Sequence, residues 1–326
     1  MPELPEVETI RRDLDAHVTG RTVRAVDVAG GRSVRRHASP ADVRARVAGR
    51  TITSTGRHGK YLLLWLARPG VAHVDGGGAG LAAGARSGAP AAAGAGPGAR
   101  PAAGARPVAR PAGTAGRECL VVHLGMSGQL LLADAASPRP RHTHVALGLT
   151  GDTELRFVDP RTFGEVFASA AAEPGGLPPE LAHLGPDALD ELTTARRLAR
   201  VLGSRRRKLK DLLMDQTAIA GIGNIYSDEI LWSARLRHDR SSASLSPAEV
   251  SRLASALRST LRDAVAHRGS SLGDEQYRDL LGRVGGYASR HRAYDREGRP
   301  CPRCRQPIVR LAMGGRSHFF CPRCQL

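Results

Sequence analysis

The sequence contains little lysine, few aromatic residues and no long apolar run. Of its 48 basic residues only three are lysine, and aromatic residues make up 4% of the 326 positions. A membrane-spanning helix needs roughly 18 or more consecutive apolar residues, and no such run is present. The N-terminus also lacks the apolar core of a signal peptide. We therefore expect a cytoplasmic protein, in a compartment where disulfides are rare.

Cysteine is also scarce, and its distribution is uneven. Four of the five cysteines lie in the last 26 residues, as two C-x2-C pairs separated by 16 residues. Two such pairs complete the tetrahedral thiolate shell of a structural zinc. The sequence therefore predicts one structural Zn²⁺ held by Cys301, Cys304, Cys321 and Cys324. We expect Cys119 to be a buried core thiol, and His318 to be a strand residue rather than a ligand.

Positive charge, in contrast, is abundant. The formal net charge is +17 and the pI is about 11, which indicates a polyanionic partner, most simply nucleic acid. A chain of this length can form two domains and a small third one. Residues 76–117 consist of Ala, Gly, Pro and Arg at 38 of 42 positions. Such a segment cannot bury a core, so we expect a disordered basic insertion there.

The first residues combine a proline with closely spaced carboxylates. If Met1 is removed, Pro2 supplies a secondary amine, and Glu3 and Glu6 lie within a few residues of it. Apolar residues at 7, 10, 14 and 18, followed by Gly20, predict a helix whose positive N-terminal end lies near that amine. A plain helix start, with proline in the first turn and acids that complement the dipole, explains the same residues. The stretch alone leaves both interpretations open.

Strand patterns precede about residue 170 and helical patterns follow it. Strands are predicted over 22–28, 50–55, 61–66, 118–123, 129–132, 145–149 and 154–158, with a turn at 56–60 and a late hairpin over 309–311 and 318–320. Helices are predicted over 187–202, 208–218, 225–234 and 247–266. Before the third helix, Gly221 and Gly223 permit a tight reversal, and Asn224 is placed to cap that helix. A phosphate site or an ordinary helix–helix turn fits this reversal.

Six segments, in order, resemble the bacterial formamidopyrimidine-DNA glycosylase family, repair enzymes that remove 8-oxoguanine and ring-opened purines. They are PELPEVE at 2–8, GRHGKYL at 56–62, HLGMSG at 123–128, DPRTFG at 159–164, LKDLLMDQTAIAGIGNIYSDEILW at 209–232 and the cysteine motif. The resemblance implies an α+β protein with double-stranded damaged DNA held in a cleft. Its expected parts are an N-terminal β-sandwich with an N-terminal helix (1–168), a linker (169–182), a helix–two-turn–helix domain (183–290) and a four-cysteine zinc finger (291–326).

The resemblance also implies catalytic roles. Pro2 is similar to the family's nucleophile, which attacks C1′, expels the base and forms an iminium that leads to strand scission by β- and δ-elimination. Glu3 resembles the family's general acid/base at the sugar, and Lys60 a lysine of the catalytic site that also contacts phosphate. Glu6 is similar to a second carboxylate of catalytic or structural role. The implied activity is that of a bifunctional DNA glycosylase and lyase of apurinic or apyrimidinic sites, acting as a monomer.

Other positions resemble the family's DNA contacts, namely His123, Asn224, Lys210, Tyr294 and Arg316. Met126, Arg161 and Phe163 resemble the trio that fills the gap left by the extruded base, since an apolar wedge and a cation offset the cost of unstacking. Many family members have a second arginine at the position of Thr162, so one backbone contact differs here. The region 269–287 corresponds to the loop that closes over the extruded base, and it matches the family pattern least well.

Two other functions fit the same sequence. One is a related glycosylase/lyase selective for oxidised pyrimidines, although PELPEVE and LGMSG favour the purine-lesion enzyme. The other is a non-catalytic, zinc-dependent DNA-binding protein, which would need no free amine at Pro2. The first alternative differs in the lesion that is excised, and the second forms no covalent adduct with DNA.

Overall fold

The structure is a computed structural model that describes residues 2–68, 117–170, 176–273 and 276–326. The expected insertion at 76–117 lies outside these ranges except for Arg117. In the described part of the chain, no helix is both long and apolar enough to cross a membrane. The chain forms a β-sandwich, a helical region and a C-terminal hairpin, which confirms the predicted α+β fold.

The first helix, α1 (Leu4–Val18), joins the two larger parts of the molecule. A proline lies in its first turn, and Glu3 and Glu6 form a reciprocal capping box, which satisfies N–H groups that have no partner within the helix. The predicted apolar series at 7, 10, 14 and 18 packs into the sandwich core, whereas Leu4 lies in the core of the helical region. Each fully buried aliphatic side chain contributes about 1.5–3 kcal/mol. The helix therefore fixes the N-terminus at the boundary between the two cores.

Eight strands of the described ranges form two antiparallel sheets. They are β1 (Val23–Val28), β2 (Thr51–His58), β3 (Tyr61–Ala67), β4 (Arg117–His123), β5 (Gln129–Asp134), β6 (Thr143–Leu149), β7 (Thr153–Val158) and β8 (Glu165–Ala170). One sheet has the order β1-β6-β7-β5 and the other β2-β3-β4-β8. The sequence predicted all of these except β8, whose last two residues lie in the expected linker. A short helix, α2 (Pro40–Val47), packs against β1 and was also not predicted.

Strand β3 is buried on both faces. Leu62, Leu64 and Leu66 face the sandwich core, while Leu63 and Trp65 lie in a second cluster with residues that follow β8. Burial on both faces explains the unbroken apolar run of this strand. The turn predicted over 56–60 is shorter in the structure, because β2 pairs with β3 as far as His58. Only Gly59 and Lys60 remain to reverse the chain.

The helical region consists of α3 (Ala195–Gly203), α4 (Leu209–Met214), α5 (Asn224–Ala234) and α6 (Pro247–Ala266). The described residues also form four short 3-10 turns, at Arg32–Val34, Pro179–Leu181, Ser242–Ser244 and Tyr287–Arg290. The predictions of α5 and α6 are right to within one residue, but the helices predicted over 187–202 and 208–218 are too long. The Asp187 carboxylate accepts from the N–H groups of Leu189 and Asp190, which holds that segment in turns. Side-chain acceptors of this kind compete with helix formation.

The C-terminal hairpin packs on α5. Its strands are β9 (Val309–Met313) and β10 (Arg316–Phe320), joined by two glycines with positive φ. Arg316 is therefore the first residue of β10 rather than part of the turn. His318 is a buried strand residue, as predicted, and Cys119 is a buried thiol in β4. Ile308, Phe319 and two cysteines cluster with Trp232 of α5, which attaches the hairpin to the helical region.

Candidate active site and nucleic-acid interface

The carboxylate of Glu3 lies at the N-terminus of α5. It accepts hydrogen bonds from the backbone N–H groups of Gly223 (2.7 Å), Ile225 (2.9 Å) and Tyr226 (3.4 Å). N–H groups at a helix start have no intrahelical partner, and the positive end of the helix dipole stabilises an anion. Gly223, not Asn224, is the N-cap residue, so the predicted capping by Asn224 is wrong. The cap of α5 comes from the start of the chain.

The glycine reversal before α5 fits against the start of α1. The Leu4 N–H donates to the Gly221 carbonyl at 3.1 Å. Gly221 has a φ of +110°, which favours glycine, and a Cβ there would lie 2.9 Å from the Cβ of Leu4. Pro2 is buried beside this contact. The reversal therefore receives the N-terminus of the chain.

Lys60 reaches the same place from the turn between β2 and β3. A Cβ on Gly223 would lie 2.5 Å from Glu3 Oε1 and 2.6 Å from Lys60 Nζ, so the two groups face each other across this glycine. Burial lowers the pKa of Lys60, and the charges of Glu3 and Glu6 oppose that shift. A buried amine beside a buried carboxylate is typical of acid–base and nucleophilic sites.

A buried guanidinium holds the turn that carries Lys60. Arg57 forms an ion pair with Asp187, and it also contacts Asp190 at 2.7 Å and Glu8 at 3.2 Å. The Asp187 carboxylate accepts from the N–H of Gly59 at 2.8 Å as well. Charge-assisted hydrogen bonds of this kind are short and directional. The turn is therefore attached to the helical region and to α1 at the same time.

Glu6 is the centre of a buried hydrogen-bond network. Its carboxylate accepts from the Tyr226 hydroxyl (2.5 Å), the Ser270 N–H (2.7 Å) and the Glu3 N–H (2.8 Å). The Ser270 hydroxyl lies 3.1 Å from that of Tyr226 and 3.0 Å from Nε2 of His291. Burial raises the pKa of Glu6 to about 7, while the hydrogen bond from Tyr226 acts in the opposite direction. A carboxyl group that titrates near neutral pH thus connects α1 with α5 and with the 269–287 region.

Four of the predicted DNA contacts lie around Glu3 and Lys60. Asn224 and Tyr294 line a polar cavity of about 460 Å³, in which the buried Oδ1 of Asn224 has no hydrogen-bond partner among the described residues. The ring of His123 packs on that of Tyr61, next to Lys60, and burial lowers the pKa of His123 to about 4. Arg316 is exposed, and its charge lowers the pKa of Lys60. Polar and cationic groups of this kind suit a phosphate backbone.

Lys210, the fifth of these predicted DNA contacts, is buried and does not lie on the surface with the other four. Its side chain is 1% exposed, and Nζ donates to Asp228 at 2.7 Å and to the carbonyl of Ser317 at 3.1 Å. Lys210 therefore attaches β10 to α5 immediately behind Arg316. In this conformation its ammonium group is not directed to an external ligand.

Met126, Arg161 and Phe163 lie on two adjoining loops, 124–128 and 159–164. Met126 is 40% exposed and Phe163 is 45% exposed. The guanidinium carbon of Arg161 lies 5.2 Å from the centre of the Phe163 ring. Thr162 has a φ of +54°, which few residues other than glycine adopt. The loops thus hold two exposed apolar side chains and a cation close together.

Several site residues could not be found from the sequence. Tyr226 and Ser270 complete the Glu6 network, and the Arg57–Asp187 pair holds the Lys60 turn. Glu229 of α5 accepts from the N–H groups of Ala293 (2.8 Å) and Tyr294 (2.9 Å) and so positions Tyr294. Each of these residues acts through a contact with a distant part of the chain, and no local pattern marks it.

The four cysteines form a single cluster, as predicted. Their Sγ atoms lie within 4.8 Å of one another, with 3.5 Å between Cys304 and Cys321 and 3.9 Å between Cys301 and Cys324. A tetrahedral Zn²⁺ with Zn–S bonds of about 2.3 Å requires sulfur separations near these values. The cluster therefore fits one structural zinc. Four thiolates fill its coordination shell, so the ion would stabilise the hairpin and take no part in chemistry.

Comparison with known proteins covers the whole chain. Residues 1–93 and 107–166 match the formamidopyrimidine-DNA glycosylase N-terminal domain, 184–276 its H2TH domain, and 298–326 the zinc finger found in FPG and IleRS. The formamidopyrimidine-DNA glycosylase of Mycolicibacterium vanbaalenii is 41% identical over 100% of this chain and 98% of its own length.

Solved structures show the same similarity. The crystal structure of the MutM (Fpg) protein from Thermus thermophilus is 37% identical, with a TM-score of 0.73, and the match covers 99% of this chain and 98% of that one. Wild-type Lactococcus lactis Fpg (MutM), in complex with DNA containing N7-benzyl-Fapy-dG, is 25% identical, with a TM-score of 0.74 and coverage of 99% of both chains.

A sandwich domain, a helical domain and a zinc finger around one buried amine–carboxylate site are the arrangement of a DNA repair glycosylase. The full-length identity makes the assignment more specific. The chain belongs to the formamidopyrimidine-DNA glycosylase family.

Proposed function

We propose that this protein excises oxidised purines, namely 8-oxoguanine and formamidopyrimidines, from duplex DNA and then cleaves the strand at the abasic site. The observation that carries the proposal is the position of the first residues. Pro2 is buried next to Glu3, whose carboxylate is fixed by the N-terminus of α5 opposite the ammonium of Lys60. An amine next to a fixed carboxylate in the chain suits nucleophilic and acid–base chemistry.

The proposed nucleophile is the ring nitrogen of Pro2, which becomes a secondary amine once Met1 is removed. The amine attacks C1′ of the damaged nucleotide, and the base leaves with the electron pair of the glycosidic bond. The sugar ring opens and an iminium forms, which acidifies the hydrogens at C2′. Loss of one such proton expels the 3′ phosphate by β-elimination, and a further elimination expels the 5′ phosphate. Glu3 is the proposed general acid/base at the sugar, and Glu6 supports it through the shared hydrogen bond.

The surrounding groups are proposed to hold the DNA. Lys60, His123, Asn224, Tyr294 and Arg316 would contact phosphates on either side of the extruded nucleotide, and Lys210 would support this set by holding β10 in place. Met126, Arg161 and Phe163 would fill the gap in the duplex, since inserted apolar side chains offset the cost of unstacking. One chain contains all these groups, which supports action as a monomer; the proposed place of action is the cytoplasm.

Borohydride trapping on an 8-oxoguanine duplex tests the proposal. The expected result is a covalent adduct whose modified peptide maps to Pro2. A matched control keeps one extra residue ahead of Pro2, which turns its nitrogen into an amide and should abolish the adduct. An adduct on Lys60, the buried amine of the same site, would contradict the proposed nucleophile. No adduct with the processed protein would favour the non-catalytic DNA-binding alternative.

Lesion choice is tested separately. Single-turnover excision is compared for 8-oxoguanine and thymine glycol in otherwise identical duplexes. The proposal expects faster excision of 8-oxoguanine. Faster excision of thymine glycol would favour the pyrimidine-selective alternative.

A further inference from the structure

Met126 and Phe163 belong to loops that are separate in sequence, yet a gap-filling role requires them to act together. Each is a large apolar side chain exposed at a loop tip. A wedge that enters a base stack must keep its parts at a fixed separation, because misplacement by about 1 Å can cost two orders of magnitude in rate. Some contact beneath the exposed side chains has to join the two loops.

We infer that Asp159 is the positioning residue that joins these loops into one wedge, so that base extrusion depends on a side chain that is completely buried. The inference rests on the wedge role proposed above. Asp159 is 0% exposed. It begins the loop that carries Arg161 and Phe163, and its carboxylate reaches across to the loop that carries Met126.

The hydrogen bonds of Asp159 go to Arg161 itself and to the residues that follow Met126 and Phe163. Oδ1 accepts from the hydroxyl of Ser127 at 2.6 Å, one residue after Met126, and from the N–H of Arg161 at 3.3 Å. Oδ2 accepts from the N–H of Gly164 at 2.7 Å, one residue after Phe163. A single carboxylate thus binds the backbone at Arg161 and beside Phe163, and the side chain of the residue next to Met126.

The two loops are also in direct backbone contact. Gly125 has a φ of +62°, and a Cβ there would lie 2.5 Å from the nitrogen of Gly164. On the other side, Arg35 donates to the Gly164 carbonyl at 2.9 Å. With so little space between the loops, a small change in the hydrogen bonds of Asp159 moves the tips relative to each other.

Asparagine at this position has the same shape but cannot make the same bonds. All three partners donate, and an amide offers one acceptor oxygen and one donor NH₂ group. The Ser127 hydroxyl can rotate and accept instead, but the N–H groups of Arg161 and Gly164 cannot. In one orientation of the amide the buried N–H of Gly164 would face another donor, and in the other orientation the partly buried N–H of Arg161 would. An unsatisfied buried donor costs enough to displace a loop.

The test compares Asp159→Asn with the wild-type full chain on two substrates. Excision of 8-oxoguanine from a duplex requires the gap to be filled, whereas strand cleavage at an abasic site in single-stranded DNA does not. We expect duplex excision to fall roughly 10- to 100-fold, as an unsatisfied buried donor predicts, and single-strand cleavage to stay within about twofold. Equal losses on both substrates, or no loss on the duplex, would overturn the inference.

A double mutant separates positioning from general damage to the fold. If Asp159 acts through the wedge, the double variant Asp159→Asn/Met126→Ala should lose much less duplex excision, relative to wild type, than the product of the two single losses. Independent, multiplicative effects would overturn the inference. A 2-aminopurine beside the lesion reports unstacking directly, and its fluorescence change should be slower with Asp159→Asn.

The same experiment distinguishes failure of the proposed function. Wild-type protein that excises nothing would overturn the proposed function and this inference together. A different result is an active wild-type protein with Met126→Ala and Phe163→Ala variants that excise 8-oxoguanine from the duplex equally fast. It would overturn only the wedge role and the inference that rests on it.

Discussion

The carboxylate of Glu3 accepts a 2.7 Å hydrogen bond from the N–H of Gly223, 220 residues further along the chain. This contact joins the first residue before α1 to the first residue before α5. It also places the carboxylate opposite Lys60, because Gly223 has no side chain to separate them. The proposed chemistry therefore depends on two chain segments that meet only in the folded protein.

Gly223→Ala should inactivate the enzyme without abolishing folding. The added Cβ would lie 2.5 Å from Glu3 Oε1 and 2.6 Å from Lys60 Nζ, so the carboxylate and the ammonium must move. We expect borohydride trapping to slow on the order of 100-fold and the free energy of unfolding to fall by about 1–3 kcal/mol. Gly203→Ala is the matched control, since a Cβ there meets nothing within 4 Å. Normal trapping by Gly223→Ala would show that the chemistry does not need the Glu3 carboxylate and the Lys60 ammonium to lie this close to Gly223.

Pro2→Gly and Arg316→Ala should damage different steps. The first changes the proposed nucleophile and should slow adduct formation while leaving the Kd for an uncleavable abasic-site duplex nearly unchanged. The second removes an exposed cation among the predicted DNA contacts. It should raise that Kd by about tenfold and reduce the salt dependence of binding. Trapping rates and fluorescence anisotropy measure the two quantities. Equal losses of affinity in both variants would contradict this division of roles.

Glu6 should make stability depend on pH. Its pKa is raised from 4.5 to about 7 by burial, so between these values the folded state holds a proton that the unfolded state has lost. Stability therefore falls as the pH rises through this window. Relative to Glu6→Gln, the wild-type free energy of unfolding should decrease by up to roughly 3 kcal/mol, at about 1.36 kcal/mol per pKa unit.

Urea unfolding of both proteins at several pH values between 4.5 and 8 measures this difference. The exposed Glu297→Gln serves as the control and should run parallel to the wild type. A constant difference between the wild type and Glu6→Gln would mean that Glu6 does not titrate in this range.

Loss of zinc should release the hairpin from α5. The indole N–H of Trp232 lies 3.4 Å from the Sγ of Cys301, and the ring packs in the same cluster. In a Trp65→Phe background, chelation or Cys324→Ser should shift the emission of Trp232 and weaken DNA binding, because Arg316 lies on the hairpin. A Cys324→Ser protein that keeps its zinc and its DNA affinity would contradict the four-cysteine site.

Local patterns were sufficient for much of the fold. The apolar spacing of α1 and α6 predicted both helices, because each buries one continuous stripe and begins with side chains that cap it. The two C-x2-C pairs predicted the zinc site, since each pair is a short-range unit. Predictions failed where a side-chain acceptor competes with regular structure for backbone N–H groups. The segment at 187–192 has helical spacing, but the Asp187 carboxylate holds it in turns and binds Arg57.

The sequence by itself determined the class of fold, the metal site and, through its motifs, the candidate catalytic residues. Only the tertiary structure decided how those residues are held. It joined Lys210 to the carbonyl of Ser317, gave α5 a cap from Glu3, and surrounded Glu6 with Tyr226 and Ser270. The physical reason is the distance along the chain. Hydrogen bonds between residues more than a hundred positions apart follow from packing the two cores together, and no local periodicity records them.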